Sequence, residues 1–244
     1  MKVLDRDVVL KALVGSHNYN LANEESDKDY KVFVVPTFTE LYKGERYSKS
    51  IIGETEDNDI HDIRKLTDLL FKANINFLEV LASNEIIIPE GNKEIEQILS
   101  MKKEIFKMNL PHLYDACKGM FYNKMKLLEK GTEGTQHLVD KYKYDTKQAL
   151  HAFRVMDFIY RYWLSGFNDF DGALRYEGED LETMLIIRHG GSTLEEYKEF
   201  VNKYFEQVFT PLREHYHSHS PNLELKNQIE DLIMQLIKRK LLEK

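Results

Sequence analysis

The sequence predicts an α+β protein, with a small mixed β-sheet and helices in its first part and a mainly α-helical second part. Short apolar, β-branched runs separated by turn residues lie before residue 90, a pattern typical of strands. Beyond residue 90, apolar residues recur at the spacing of amphipathic helices. We therefore expect two domains, an α/β domain at residues 1–90 and a helical domain at residues 91–244, the second contributing to the ligand cleft.

Strand-like runs and helical stretches alternate in the first part of the chain. One β-branched run ends at Gly15, and a second ends at Pro36, which cannot continue a central strand. Asp62 is a good N-cap residue and begins the first predicted helix. In chain order we expect strands at 7–14 and 30–35, a hairpin of 50–53 with 58–61, helices at 62–72 and 77–81, and a strand at 85–88.

Helical periodicity dominates the second part of the chain. Pro211 is expected to kink or end the long helix around it. Glycine, asparagine and aspartate mark loops at 131–135 and 166–178. The helices are expected at about 93–107, 111–130, 145–165, 180–189, 193–217 and 222–242.

The composition is that of a globular protein without a disulfide framework. Hydrophobic residues make up 42% of the chain, charged residues 31%, and there is one cysteine, so a packed core must supply the stability. We find no signal-peptide pattern and no apolar run near the roughly 20 residues that span a membrane. We expect a cytoplasmic protein. The net charge of -7 disfavours broad binding to duplex nucleic acid.

Two carboxylates separated by one residue lie at the start of the second predicted strand. Residues i and i+2 of a strand face the same side, so Asp27 and Asp29 are expected to project together. A divalent cation removes their repulsion, and ligand sets made of oxygen alone suit Mg²⁺ or Mn²⁺. The alternative interpretation is that both are solvated turn residues without a catalytic role.

A Gly-Ser pair ends the first predicted strand. Gly15 lets the backbone approach a phosphate closely, and Ser16 adds a hydroxyl beside N–H groups that bind phosphate oxygens. Phosphoryl transfer asks mainly for positioning and charge neutralisation. The Gly-Ser pair and the two carboxylates together favour a site of this kind.

A third carboxylate is expected from a neighbouring strand. The candidates are Asp57, Asp59 and Asp62. We favour Asp59, which lies in a strand-like segment, and then Asp57, which has the same strand parity. Asp62 is expected to cap a helix.

The spacing of Gly15-Ser16 and Ser26-Asp27-Lys28-Asp29 resembles the signature of the DNA polymerase β-like nucleotidyltransferase superfamily. Those enzymes usually carry Arg-Gly where this chain has Tyr19-Asn20. With Tyr19-Asn20 at that place, the chain looks more like the bacterial and phage branch of predicted nucleotidyltransferases that includes the RNA-ligase-associated polymerase-like proteins. Residues 62–66 with 73–81, 145–154 and 185–191 also fit that branch, so the resemblance spans most of the chain.

The resemblance implies a metal-dependent nucleotidyltransferase of the EC 2.7.7 type. It would bind ATP or another NTP, transfer the NMP to an acceptor hydroxyl and release pyrophosphate, with Mg²⁺ or Mn²⁺ as cofactor. Asp27, Asp29 and Asp59 would hold the metals. The nucleotide would be bound by Gly15, Ser16, Tyr19 and Ser26. An RNA end is the acceptor weakly preferred, and a protein or a small molecule stays open.

A basic stripe lies on the helix expected at 145–165. Lys147, His151 and Arg154 recur at i, i+4 and i+7, which places them on one face. The helix is apolar almost all round and is expected to be buried, and buried basic groups need partners. We therefore expect these residues to contact the nucleotide rather than solvent. Arg64 and Lys65 are further candidates for phosphate contact.

Two other functions fit the same pattern. One is a nucleotide-binding or sensing module without turnover, and the other is a partner protein of the toxin–antitoxin type. The alternating histidines at 215, 217 and 219 are expected at the surface rather than on a metal, and Cys117 in the core.

Overall fold

The computed structural model describes residues 1–24 and 26–243 and confirms the α+β class. The chain forms two compact units. The first comprises Met1–Asn109 and the C-terminal segment from Pro221, and the second comprises Leu110–Ser220. The predicted domain boundary at residues 90 and 91 stays a prediction.

The strands of the described residues form one mixed sheet in the first unit, in the order β1-β2-β3-β5-β4, and β6 also pairs with β2. β2 and β3 are antiparallel, β3 and β5 are parallel, and β4 and β5 form the predicted hairpin. The strands are β1 (Lys2–Val3), β2 (Arg6–Val14), β3 (Lys28–Val34), β4 (Ser48–Ile51), β5 (Glu56–Asp62) and β6 (Ile86–Ile87).

Strand parity separates an apolar face of the sheet from a charged one. Tyr30, Val32 and Val34 of β3 are buried in one apolar cluster with residues of β2 and β5. Because side chains alternate along a strand, Asp29 and Lys31 project from the opposite face. The division is not complete, because the buried Phe33 shares the face of Asp29 and Lys31, and the Lys11–Glu56 ion pair lies on the face of Tyr30 and Val32.

The helices of the first unit follow local capping signals. Asp62 accepts the backbone N–H of Arg64, as its predicted cap role requires, although residues 63–65 form a 3₁₀ turn before the α-helix. One helix was not predicted, although Thr37 and Glu40 form its capping box. The helices are α1 (Phe38–Lys43), α2 (Leu66–Phe71), α3 (Ile75–Leu78), α4 (Lys93–Ser100), α5 (Lys102–Phe106) and α13 (Leu223–Leu242).

Helices alone build the second unit, around the buried helix α8. In the described residues they are α6 (Leu110–Met125), α7 (Gln136–Tyr142), α8 (Thr146–Leu164), α9 (Phe170–Leu174), α10 (Gly178–Arg188), α11 (Leu194–Tyr204) and α12 (Arg213–His217). No helix among the described residues has the length and apolar character that crossing a membrane requires.

The helix expected at 193–217 changes to a π-helical stretch at Phe205–Phe209 and a 3₁₀ turn at Thr210–Leu212, which contains Pro211, the residue expected to kink or end it. One expectation for this unit was wrong. The loop expected at 166–178 contains α9, because Asp169 accepts the N–H of Gly172 and Phe170 is buried.

The C-terminal helix α13 is joined to α4 by an ion pair. Arg239 donates to both oxygens of Glu94, from Nε at 3.0 Å and from Nη2 at 2.7 Å. The guanidinium lowers the pKa of Glu94, whose side chain is 4% exposed. Loss of this partner would leave a carboxylate buried without its cation.

We predict that Arg239→Met lowers the free energy of unfolding by about 2 kcal/mol, since one partner of a largely buried pair is removed. Urea denaturation at pH 7 measures the change. Lys238→Met removes a neighbouring exposed cation and should change stability by less than about 0.5 kcal/mol. Equal effects of the two variants would contradict the role of the pair.

Candidate active site

Gly15 begins a single 3₁₀ turn, Gly15–Tyr19, directly after β2. Its φ is +74°, and a Cβ atom placed on it would lie 2.7 Å from Oδ2 of Asp29. A Cβ atom cannot lie this close to a carboxylate oxygen unless one of the two groups moves. The glycine therefore lets the Asp29 carboxylate lie against the backbone of the turn.

Two residues that sequence reasoning missed hold this turn. The N–H of Gly15 donates to Glu79 Oε2 at 3.1 Å, and the side-chain amide of Asn18 donates to the carbonyl of Glu79 at 3.4 Å. Asn18 also accepts the N–H of Asn84 at 3.1 Å. Asn18 and Glu79 are buried. No local pattern links Glu79 to Gly15, because the contact joins segments far apart in the sequence.

The other nucleotide-binding candidates of this segment have internal contacts. Ser26 Oγ donates to Asn23 Oδ1 at 2.6 Å and accepts the N–H of Asn23 at 3.0 Å. His17 Nε2 lies 3.0 Å from the carbonyl oxygen of Ser26. Tyr19 is buried. These contacts fold the segment after the Gly-Ser pair onto itself.

Three of the candidate carboxylates project from the charged face of the sheet. Asp29 on β3 is paired in register with Asp57 on β5, and Lys31 is paired with Asp59. Paired residues of neighbouring strands share a face. Asp27 lies directly before β3 and is exposed. The structure therefore brings Asp57, rather than Asp59, directly opposite Asp29.

Asp59 is the centre of a polar network on the same face. It accepts hydrogen bonds from Lys31 Nζ at 3.0 Å and Ser50 Oγ at 3.2 Å, and His61 Nε2 lies 2.8 Å from Oδ2. Burial raises the pKa of Asp59, but Lys31 and His61 outweigh it and lower the pKa below its usual value. Asp59 is therefore an ionised group whose charge Lys31 already offsets.

Asp62 lies on the opposite face and is fully buried. Arg64 Nε donates to both of its carboxylate oxygens, at 3.0 and 3.1 Å, and Nη2 also donates to Glu45 O. These contacts bind the Arg64 guanidinium within the fold. Lys65 is half-buried and its charge helps to lower the pKa of His61, after the larger effect of burial.

Metal binding by these residues stays a prediction. Carboxylate oxygens are the donors that Mg²⁺ and Mn²⁺ prefer, so the donor chemistry fits these cations. Among residues 1–24 and 26–243, however, no three His, Cys, Asp or Glu side chains converge into a group that could hold a metal ion. The histidines discounted from sequence have other contacts, since His217 lies 3.2 Å from Asp115 and His215 packs on Trp163.

The basic residues predicted on α8 lie in the second unit. Arg154 is 2% exposed, and the nearby Lys124 of α6 was missed by sequence reasoning. Burial lowers the pKa of His151 well below its usual value, and the charges of Arg154, Lys124 and Lys147 lower it further. The ring is therefore neutral at pH 7.

Arg161, about two turns beyond Arg154 on α8, makes different contacts from these basic residues. Its guanidinium donates to the carbonyl oxygens of Gly172 at 2.9 Å and Ala173 at 3.3 Å. It also stacks over the ring of Tyr176. These contacts fix α9 to α8, which is a structural role.

Comparison with known proteins gives one family. The model of the RNA repair pathway DNA polymerase beta family matches residues 2–235, which include nearly all of both compact units. A search of the curated proteins finds no match. The family match agrees with the resemblance carried by the Gly-Ser pair and the Asp27 and Asp29 carboxylates.

We predict that Gly15→Ala destabilises the protein more than Gly44→Ala does. The two glycines have φ values of +74° and +70°, but a Cβ on Gly44 meets nothing within 4 Å. Gly44→Ala should cost about 1 kcal/mol for the left-handed backbone alone, and Gly15→Ala more than this because the Asp29 carboxylate must also rotate away from the turn. Chemical denaturation of both variants measures the difference, and equal costs would show that Asp29 does not restrict the turn.

We also predict a pH dependence that His151 causes. Its pKa is lower in the folded protein, so the unfolded chain binds the extra proton and stability is lost as pH falls below about 6.5. The free energy of unfolding of the native protein should therefore fall relative to that of His151→Gln, by at most about 1.4 kcal/mol per pH unit. Denaturation of both proteins between pH 7.5 and 5.5 measures this. A native protein that gains stability relative to the variant at pH 5.5 would refute it.

Proposed function

Because the chain belongs to the RNA repair pathway DNA polymerase beta family, we propose that it is a metal-dependent nucleotidyltransferase. It transfers an NMP from an NTP to an acceptor hydroxyl and releases pyrophosphate. The family's description names an RNA repair pathway, so an RNA end is the acceptor that we propose first. The observation that carries the proposal is the Asp29 carboxylate packed against the Gly15 turn and directly opposite Asp57.

The Gly15 turn is assigned to the triphosphate. The N–H of Gly15 already donates to Glu79, so the contribution of Gly15 is the space that a side chain would fill. Ser16 supplies its hydroxyl to a phosphate oxygen. Tyr19 is buried and Ser26 closes a local turn, so their role in nucleotide binding is to shape this segment.

The carboxylates are assigned to the divalent cations. Asp27, Asp29 and Asp59 would hold Mg²⁺ or Mn²⁺, and the register opposite Asp29 supports Asp57 as the alternative third ligand. A bound cation would neutralise the phosphates and activate the acceptor hydroxyl. The lowered pKa of Asp59 makes it a weak proton acceptor. Holding a cation therefore suits Asp59 better than deprotonating the acceptor.

The basic residues expected to contact the nucleotide differ in whether other groups of the protein already bind them. Lys147, His151 and Arg154 are proposed to bind phosphate or nucleotide. The guanidinium of Arg64 is bound by Asp62 and Glu45, which makes Lys65 the better candidate of that pair for phosphate contact.

One observation favours a second function, a nucleotide-sensing module without turnover. Catalysis by metal ions needs several ligands in one place, and the described residues contain no converged group of three. Binding of an NTP–Mg²⁺ complex, with the phosphates at the Gly15 turn and the cation at a pair of carboxylates, would suffice for sensing.

Transfer of label from NTPs labelled at the α-phosphate tests the proposed activity. The native protein with Mn²⁺ or Mg²⁺ should label RNA ends, and Asp27→Ala combined with Asp29→Ala should reduce the rate about 100-fold or more. The exposed Asp231→Ala should leave the rate unchanged. Equal transfer by the double variant would refute the assignment, and NTP binding in calorimetry without transfer to RNA or to lysate components would favour sensing.

The same transfer assay tests whether Asp59 or Asp57 is the third metal-binding carboxylate. If Asp59 is the ligand, Asp59→Ala should abolish transfer and Asp57→Ala should reduce it only partly. The reverse order would transfer the role to Asp57, as its register opposite Asp29 suggests. Unchanged folding, measured by thermal unfolding, is needed for both variants, because Asp59 pairs with Lys31.

A further inference from the structure

Four basic side chains lie near one another where α6 and α8 pack together in the second unit. Lys147, His151 and Arg154 lie on successive turns of α8, and Lys124 lies near the end of α6. Arg154 is 2% exposed, and Lys124 and His151 are half-buried. Lys147 is exposed, so the cluster runs from a solvent-exposed lysine to a buried arginine, and a fully solvated basic face does not describe it.

The positive charges of this cluster act on one another. Burial lowers the pKa of Lys124, and the charges of Arg154 and Lys147 lower it further, against the opposite effect of Asp145. The carboxylate of Asp145 also accepts the N–H of Gln148 at 3.0 Å and the hydroxyl of Thr135. Close cations in a partly desolvated place repel one another, and an anion bound among them removes that repulsion.

We propose that Lys124, Lys147, His151 and Arg154 form a binding site for a phosphate group. A phosphate carries two negative charges and several acceptor oxygens, which match an arginine fork, two lysine point charges and an imidazole donor. Lys124 is the residue that no sequence pattern indicated. The site deepens the proposed function and rests on it only for the source of the phosphate.

That source is either the triphosphate of an NTP or the terminal phosphate of an RNA strand. Both present the same group to the cluster. They differ in the rest of the molecule to which the phosphate is bonded, so the two ligands are titrated separately.

The site is tested by calorimetry of inorganic phosphate in EDTA, with the Asp27→Ala and Asp29→Ala double variant as the parent protein. Metal binding and turnover then play no part, so failure of the proposed activity does not affect the result. We expect phosphate to bind the parent, and Lys124→Gln to weaken binding about 10-fold, the loss of one charge-assisted contact. Lys126→Gln removes an exposed lysine two residues away and should leave affinity within about 2-fold.

Two results would contradict the phosphate site. No phosphate binding by the parent at millimolar concentration, or equal losses for Lys124→Gln and Lys126→Gln, would overturn the site. Thermal unfolding checks that the variants fold, and Lys147→Gln, at an exposed position of the same cluster, must weaken phosphate binding as well.

Two further titrations identify the source. If the site takes the triphosphate, Lys124→Gln weakens ATP binding in EDTA and leaves the binding of a 5′-phosphorylated oligoribonucleotide unchanged. If it takes a strand end, the variant weakens binding of that oligoribonucleotide but not of its dephosphorylated form. Either result supports the phosphate site, and an equal loss for the phosphorylated and dephosphorylated strands would overturn it.

Discussion

The carboxylate of Asp29 lies against the backbone of Gly15, in space that a Cβ atom on residue 15 would fill. This close approach joins the end of β2 to the start of β3 and places the Gly-Ser turn beside an acidic residue. Glu79 binds the N–H of the same glycine from a distant segment. The Gly15 turn is thus held by contacts between its backbone and the side chains of Asp29 and Glu79.

The sheet arranges its charges by parity and register. The same alternation that buries Tyr30, Val32 and Val34 in the apolar cluster places Asp29 and Lys31 on the other face. The parallel pairing of β3 with β5 then sets Asp57 opposite Asp29 and Asp59 opposite Lys31. The first pair brings two acidic residues into register, with Asp57 accepting the N–H of Gly53 at 3.1 Å, while the next pair is an ion pair within the fold.

The helical unit is organised around the buried helix α8. Tyrosine hydroxyls from three other segments donate to its backbone carbonyls, Tyr197 to Ala149 at 2.7 Å and Tyr216 to Ile159 at 2.8 Å among them. Each hydroxyl finds a partner, as buried polar groups require. This packing fixes the orientation of α8, which buries Arg154 and leaves Lys147 exposed on the side of the helix where the phosphate site is proposed.

The sequence alone determined the features that depend on local periodicity and chemistry. It indicated the strands that end at Val14 and Val34, the β4–β5 hairpin, most helices of the second part, the cap role of Asp62 and the family resemblance. It also indicated the Gly-Ser pair and the acidic pair, because residue type and spacing carry that information directly. Only the tertiary structure decided which distant residues meet. Strand register set Asp57 opposite Asp29, and helix packing brought Lys124 to α8 and Glu94 to the C-terminal helix. Such contacts depend on the relative placement of whole elements, which no local pattern in the chain specifies.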